Sequence, residues 1–191
     1  KLVDSLDNIH IFMLPTYPSD ILAETDNDNR FFAGLDNSRK HIMGGVYTPE
    51  GVKQVTKMAQ IIAGSARKLR ERPIISMITC VISPFKIDQL YGDMMVTIAK
   101  SGIPVVCPAE PFCGATAPVT LAGTLTVQVV DSLAGVIASQ LANPGTPVIF
   151  GSVASSTNLR DLKYIIGSVE MGLLNAAGAQ MAQFYELPFY A

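Results

Sequence analysis

Glu110 stands beside the longest stretch of low charge in the chain, since Asp131 is the only charged residue in 111–159. A carboxylate buried without a partner is costly, so Glu110 is read either as a functional group or as half of a salt bridge, and both readings stay open. It falls in Pro108-Ala109-Glu110-Pro111-Phe112-Cys113-Gly114-Ala115-Thr116, directly after an apolar run of strand length. Other such runs lead into Pro15-Thr16-Tyr17, into Ser83-Pro84-Phe85 and into Gly151–Asn158. Brought to one face, these segments supply aromatic rings, one carboxylate and several hydroxyls, with no histidine and little positive charge. That set suits a small organic cation, because ring faces attract ammonium groups and a carboxylate offsets their charge. The candidate pocket residues are Glu110 and Phe112, with Tyr17 as a further wall. Gly114 and Thr116 are expected to turn the chain toward a helix starting at Pro118. Ser155, Thr157 and Asn158 are expected to face the same mouth. The competing reading makes Tyr17, Phe85 and Phe112 ordinary core rings.

Other chemistries lack their residues. His10 and His41 fall at the starts of predicted strands, whereas parallel α/β folds keep ligands at the opposite ends, so both are read as structural. No Ser-His-Asp or Cys-His arrangement can be assembled, and Gly-x-Gly-x-x-Gly and the phosphate-binding Gly-Lys-Ser loop are missing. Cys80, Cys107 and Cys113 could in principle hold zinc, but none forms a Cys-x-x-Cys pair, and small cysteines are common in buried strands. They are expected to be free thiols without metal. An odd number of cysteines without framework spacing points to a reducing, cytoplasmic setting.

The elements that must position these groups follow a β/α rhythm. Apolar runs at 9–14, 41–46, 74–82, 103–107, 147–150 and 187–190 are nearly continuous, as in strands covered on both faces. The clearest helix has Thr48 as N-cap, Pro49 in its first turn, and Val52, Val55, Ala59, Ile62, Ala66 and Leu69 at helical spacing. Arg67, Lys68 and Arg70 then fill its last turn. Further helices are expected at 88–100, stopped by Gly102, at 118–142 and at 167–186. The polar stretch 24–40 reads as a surface loop.

The chain of 191 residues fits a single domain, 1–191, with 49% hydrophobic and 16% charged residues. Its net charge of −2 gives no field for nucleic acid or an anionic membrane. The 118–142 segment is apolar enough to consider as a membrane span. Thr120, Thr124, Thr126, Gln128, Asp131, Ser132, Ser139 and Gln140 argue instead for a helix buried all round within protein. The chain begins with Lys1 and ends on an apolar run, so it is expected to be a piece of a longer protein.

Gly114-Ala115-Thr116-Ala117-Pro118-Val119-Thr120-Leu121-Ala122-Gly123-Thr124 resembles the trimethylamine methyltransferase family, which includes glycine betaine and related quaternary-amine enzymes. Further matching runs are Leu141-Ala142-Asn143-Pro144-Gly145-Thr146-Pro147-Val148, Gly151-Ser152 and Glu170-Met171-Gly172-Leu173-Leu174-Asn175-Ala176-Ala177. The resemblance implies an α/β fold, a partial (β/α)8 TIM barrel of about six βα units with a parallel sheet, from a parent well over twice this length. It implies methyl transfer from trimethylamine or a quaternary amine to the cobalt of a corrinoid carried by a partner protein, with no cofactor bound directly. Trimethylamine enzymes of the family carry pyrrolysine, and this chain contains none. An incomplete barrel exposes sheet edges, so a homo-oligomer is expected. The resemblance assigns no role to Glu110 or Phe112. The alternatives are a non-catalytic scaffold segment and a zinc-dependent thiol methyltransferase barrel.

Overall fold

The computed structural model describes residues 2–191, leaving Lys1 outside. Six parallel strands form the main sheet: β1 (Ile11–Met13), β2 (His41–Gly45), β3 (Ile75–Ile78), β4 (Val105–Ala109), β6 (Val148–Ser152) and β9 (Phe189–Tyr190). They lie side by side in chain order, and helices pack on the outer face. The sheet curls into a half-barrel, so the Tyr190 hydroxyl on the last strand donates to Met13 Sδ on the first at 3.0 Å. This is the expected parallel α/β architecture, a partial β/α barrel.

Strand β4 is the most enclosed, with all five residues buried. The main core joins it to the helices through Met77, Val81, Met94, Ile98, Val105 and Cys107. Helix α4 (Gln89–Ser101) is capped by Asp88 and stopped by Gly102 at φ 73, as its sequence predicts.

Two outer elements correct the sequence reading. The stretch read as a surface loop contains helix α1 (Asp26–Asn37). Its inward residues Asn27, Arg30, Phe31 and Gly34 have helical spacing, but two are polar and one is glycine, which masks the apolar stripe. Phe31 is fully buried, and a Cβ at Gly34 would meet Leu14 and Ile42 side chains at 3.0–3.1 Å, so the helix lies tight on the sheet. The long helix after Thr48 is two helices, α2 (Pro49–Ala63) and α3 (Ala66–Glu71). Gly64 at φ 86 ends the first and the Ser65 hydroxyl caps the second, so Arg67, Lys68 and Arg70 belong to α3.

Helix α5 (Leu121–Ala142) starts three residues later than read, with Thr120 as its cap. It is long and apolar enough to cross a membrane by length and composition, yet its polar residues turn toward the sheet. Thr124, Gln128, Asp131, Ser132 and Ser139 are all fully buried, and the Ser132 hydroxyl donates to the Gly151 carbonyl at 2.9 Å. At Gly135 an added Cβ would sit 3.0 Å from Cys107 Sγ, so glycine is what permits this close approach. Burial is one-sided rather than all round: Val130, Ile137 and Leu141 on the outer face are exposed.

His41 is held in place at the start of β2, with Nδ1 3.1 Å from the Pro73 carbonyl and Nε2 2.9 Å from the Ser76 hydroxyl. A carbonyl only accepts, so Nδ1 carries a proton. Burial pushes the ring's pKa below the usual histidine value.

Arg30 is the strongest fastener in the outer layer. From α1 it donates to the carbonyls of Thr16 at 2.9 Å, Gly45 at 3.4 Å and Leu14 at 3.4 Å, and it pairs with Asp26 at 3.8 Å. Removing the guanidinium orphans several buried acceptors at once. Arg30→Met should therefore lower unfolding stability by about 3 kcal/mol. Arg30→Lys should recover little of it, because one ammonium cannot reach three carbonyls. Chemical denaturation checks both, and wild-type stability in Arg30→Met would contradict the assignment.

Candidate functional site

Parallel pairing sends every strand of the main sheet out at the same end, and β4 leads there into Glu110. The Glu110 side chain is reached by solvent from the open side, while the surrounding protein strips enough water to raise its pKa. The Cys80 thiol, just past β3, approaches Glu110 Oε1 at 4.0 Å. Among the described residues the ion pairs engage other acids, so the salt-bridge reading of Glu110 finds no partner.

Three tyrosines from separate elements lie within reach of this carboxylate's field: Tyr91 from α4, Tyr164 from β8 (Lys163–Ile165) and Tyr190 from β9. Burial raises the pKa of each phenol, and the Glu110 charge adds to the rise in all three. The Cys80 thiol is pushed up to about 12 by burial and then by Glu110. These groups therefore stay protonated and neutral near pH 7, leaving one carboxylate as the only charge among them.

Phe112 opens a second, small sheet at the mouth. Its strand β5 (Phe112–Cys113) pairs in parallel with β7 (Ser155–Asn158), which pairs antiparallel with β8. Residues 155–158, read as loop, thus form a strand. The Phe112 ring lies 4.8 Å from the Tyr164 ring, joining Phe112 to the group around Glu110. Behind it the chain turns tightly, as expected for Gly114 and Thr116. The Thr116 hydroxyl accepts from the Phe112 N–H at 2.9 Å, and Gly114 takes φ 84, where an added Cβ would also strike Leu159 at 2.8 Å.

The remaining candidates are placed differently. The Ser155 hydroxyl is buried and donates to the Ile165 carbonyl, so it fastens β7 to β8. Asn158 ends β7, and its side chain accepts from the Arg160 N–H of the following turn at 3.0 Å. The Thr157 Oγ1 atom is buried without a partner, on the residue paired with Tyr164. One face of the Tyr17 ring carries the Arg30 guanidinium at 3.9 Å, and the ring's aromatic neighbour is Tyr47. The protein's own cation therefore occupies one face of this ring. A cavity of about 560 Å³ is also there, between β1 and α1 at the open sheet edge, and its lining includes Phe12, Leu14, Tyr17 and Phe32. Thr16, Asn29 and Arg30 line it as well, and no carboxylate does.

Composition and period could not reveal Tyr91, Tyr164 and Tyr190 as neighbours of Glu110. The one signal available was Tyr190 in the last predicted strand. The thiols stand apart as well: Cys107 is buried against Ser139 and α5, and Cys113 donates to the Val119 carbonyl at 2.9 Å. Among the described residues no three His, Cys, Asp or Glu side chains assemble as a metal-binding group.

Six parallel strands with their helices, opening at one end onto Glu110 and aromatic rings, define the class of β/α-barrel proteins. The family described as trimethylamine methyltransferase (MTTB) matches residues 1–191, and the chain belongs to that family. It is 35% identical over 191 residues to trimethylamine methyltransferase MttB of Desulfitobacterium hafniense, a match covering 98% of this chain and 38% of that protein. A glycine betaine methyltransferase of the same species is 31% identical over 98% of this chain and 40% of its own length. MttB of Methanosarcina barkeri is 33% identical over 100% and 39%. The chain thus spans about two-fifths of the length of these relatives.

Burial pushes the Cys80 and Cys107 thiols up to about 12, so both stay protonated at pH 8. Both should resist iodoacetamide in the folded protein under conditions that label a free thiol fully, and elemental analysis should find no zinc. Rapid labelling of Cys80, or one zinc per chain lost in Cys107→Ser, would contradict these placements.

Proposed function

We propose that the whole protein removes a methyl group from a methylated amine and passes it to a corrinoid carried by a partner protein. Membership of the family supports methyl transfer, and the unpaired Glu110 carboxylate is the single feature of this chain that carries the amine assignment. When bound, the reduced corrinoid supplies the nucleophile, so the amine-binding protein needs no serine or cysteine nucleophile of its own. Its residues hold the cation, turn one methyl group toward the mouth and exclude water.

A quaternary ammonium fits this set of residues. Its leaving group is a neutral tertiary amine that takes the C–N electron pair and needs no proton, so the absence of histidine here costs nothing. Glu110 offsets the positive charge, and Phe112, Tyr164 and Tyr190 present ring surface without adding competing anions. A protonated tertiary amine is the second reading, favoured by the raised pKa of Glu110, which would let the carboxyl share the substrate's proton. The exposed apolar outer face of α5 supports burial against further protein, in a homo-oligomer or the remainder of the barrel. The reducing, cytoplasmic setting inferred from the free cysteines is kept as part of the proposal.

Glu110→Gln keeps the shape and removes the charge. In the full-length protein it should weaken amine-dependent corrinoid methylation by roughly 1–3 kcal/mol, or about 5–150-fold. Amine affinity in the wild type should fall as pH drops through the raised Glu110 pKa, and Glu110→Gln should lose that dependence. Stability has the opposite sign: the folded carboxyl binds its proton more tightly than the unfolded one, so its contribution declines as pH rises over the same interval. Unchanged turnover in Glu110→Gln, or identical pH profiles for the two proteins, would refute the carboxylate's role.

A further inference from the structure

Asp131 is a fully buried carboxylate in the middle of α5, and among the described residues no cation pairs with it. Both of its oxygens are used by one turn on the barrel's mouth side. The Ser83 hydroxyl donates to Oδ2 at 2.7 Å and the Phe85 N–H to Oδ1 at 2.8 Å. The turn is closed at its base by reciprocal backbone bonds between Ile82 and Lys86, at 2.8 and 3.0 Å. At its tip Phe85 takes φ 59, a left-handed conformation that is uncommon for a bulky side chain, and its ring is 66% exposed. Backbone strain and an exposed ring are each unfavourable. Their coincidence on one residue, secured by a buried charge, is the pattern of a segment held for function rather than for folding.

The turn follows β3 and begins three residues after Cys80, the thiol that faces Glu110. If the ammonium is anchored at Glu110, displacement requires the acceptor to approach the methyl carbon opposite the departing nitrogen. The C–N bond breaks with its electrons going to nitrogen as the new bond to the acceptor forms. That approach comes through the open mouth, the end of the sheet at which β3 leads into the 83–86 turn. We propose that Asp131 is a positioning residue that fixes Phe85 as an apolar contact for the incoming methyl acceptor, the corrinoid-bearing partner. This rests on the methyl-transfer reading above and adds to it the surface that receives the acceptor.

The experiment uses the full-length protein and varies amine and corrinoid protein concentrations separately. Phe85→Gly removes the ring and relieves the left-handed strain, so its Tm should match or exceed that of the wild type. Its KM for the corrinoid protein should rise about tenfold, with amine affinity and kcat at saturating acceptor unchanged. Asp131→Ala should raise the same KM while lowering Tm, and the double variant should add nothing further to that KM. Asp131→Asn, which keeps an acceptor for the Phe85 N–H, should restore part of the loss. An unchanged acceptor KM in Phe85→Gly, or additive effects in the double variant, would overturn the assignment and leave Asp131 a purely structural cap. A wild-type protein that transfers no methyl group would be a different result, removing the methyl-transfer reading itself and this proposal with it.

Discussion

The five-pair register between β4 and β6 is the constraint on which the site depends. Residues Val105–Ala109 pair with Val148–Ser152, and the two strands leave the barrel side by side. One residue further, Glu110 emerges from β4, and three residues beyond β6 the chain begins β7 against β5. Because β7 pairs with both β5 and β8, that same register also carries Phe112 and Tyr164 to the mouth. The approach is close: a Cβ at Gly151 would lie 2.7 Å from the Pro108 backbone. Any slip of β6 by one residue would reverse its inward and outward faces and dismantle both sheets together.

Charge sets the character of the mouth. A unit pair at 4 Å is worth about 1 kcal/mol in water and about 4 kcal/mol at the effective dielectric of a partly enclosed protein site. A carboxylate with protein around it and no cation beside it is therefore an attractor of real strength, while an exposed pair such as Lys53–Glu50 contributes little. The neighbouring phenols and the Cys80 thiol remain neutral because burial disfavours their anions, and the Glu110 charge reinforces this. Glu110 thus helps keep its surroundings free of competing charge. Elsewhere near the strand ends the buried Arg30 is held by carbonyls and Asp26, and the Asp131 carboxyl by the 83–85 turn.

The parallel sheet was legible because its strands are continuous apolar runs bounded by turn residues, α2 and α4 because their caps and stop signals agree, and α5 because its low-charge stretch is too polar for lipid. The hidden parts share a physical cause: tertiary contacts overrode local pattern. Helix α1 buries Arg30 and Asn27 where a stripe would show leucine, and its packing against Leu14 and Ile42 becomes clear only once β1 and β2 are adjacent. Strands β7 and β8 consist of serines, threonine, asparagine and a short Lys-Tyr-Ile run, with no apolar alternation to betray a sheet. Glu110 was identifiable as the isolated charge beside an apolar segment. Its tyrosine neighbours come from three elements that the chain separates by up to 99 residues, counting from Tyr91 to Tyr190, so spacing carried no trace of them. Tyr17 shows the converse: a ring at the right kind of strand end whose partner, Arg30, comes from a helix that the composition concealed.

The most direct test of Glu110 as the anchor for a cation compares two ligands of the same shape and different charge. Calorimetric titration of the full-length protein with a trimethylammonium compound and with its tert-butyl isostere, carbon replacing nitrogen, isolates the electrostatic contribution from the apolar one. The cation should bind about 5–150-fold more tightly, a difference of roughly 1–3 kcal/mol. Equal affinity for the two would show that the mouth recognises shape alone and that Glu110 does not hold the substrate's charge.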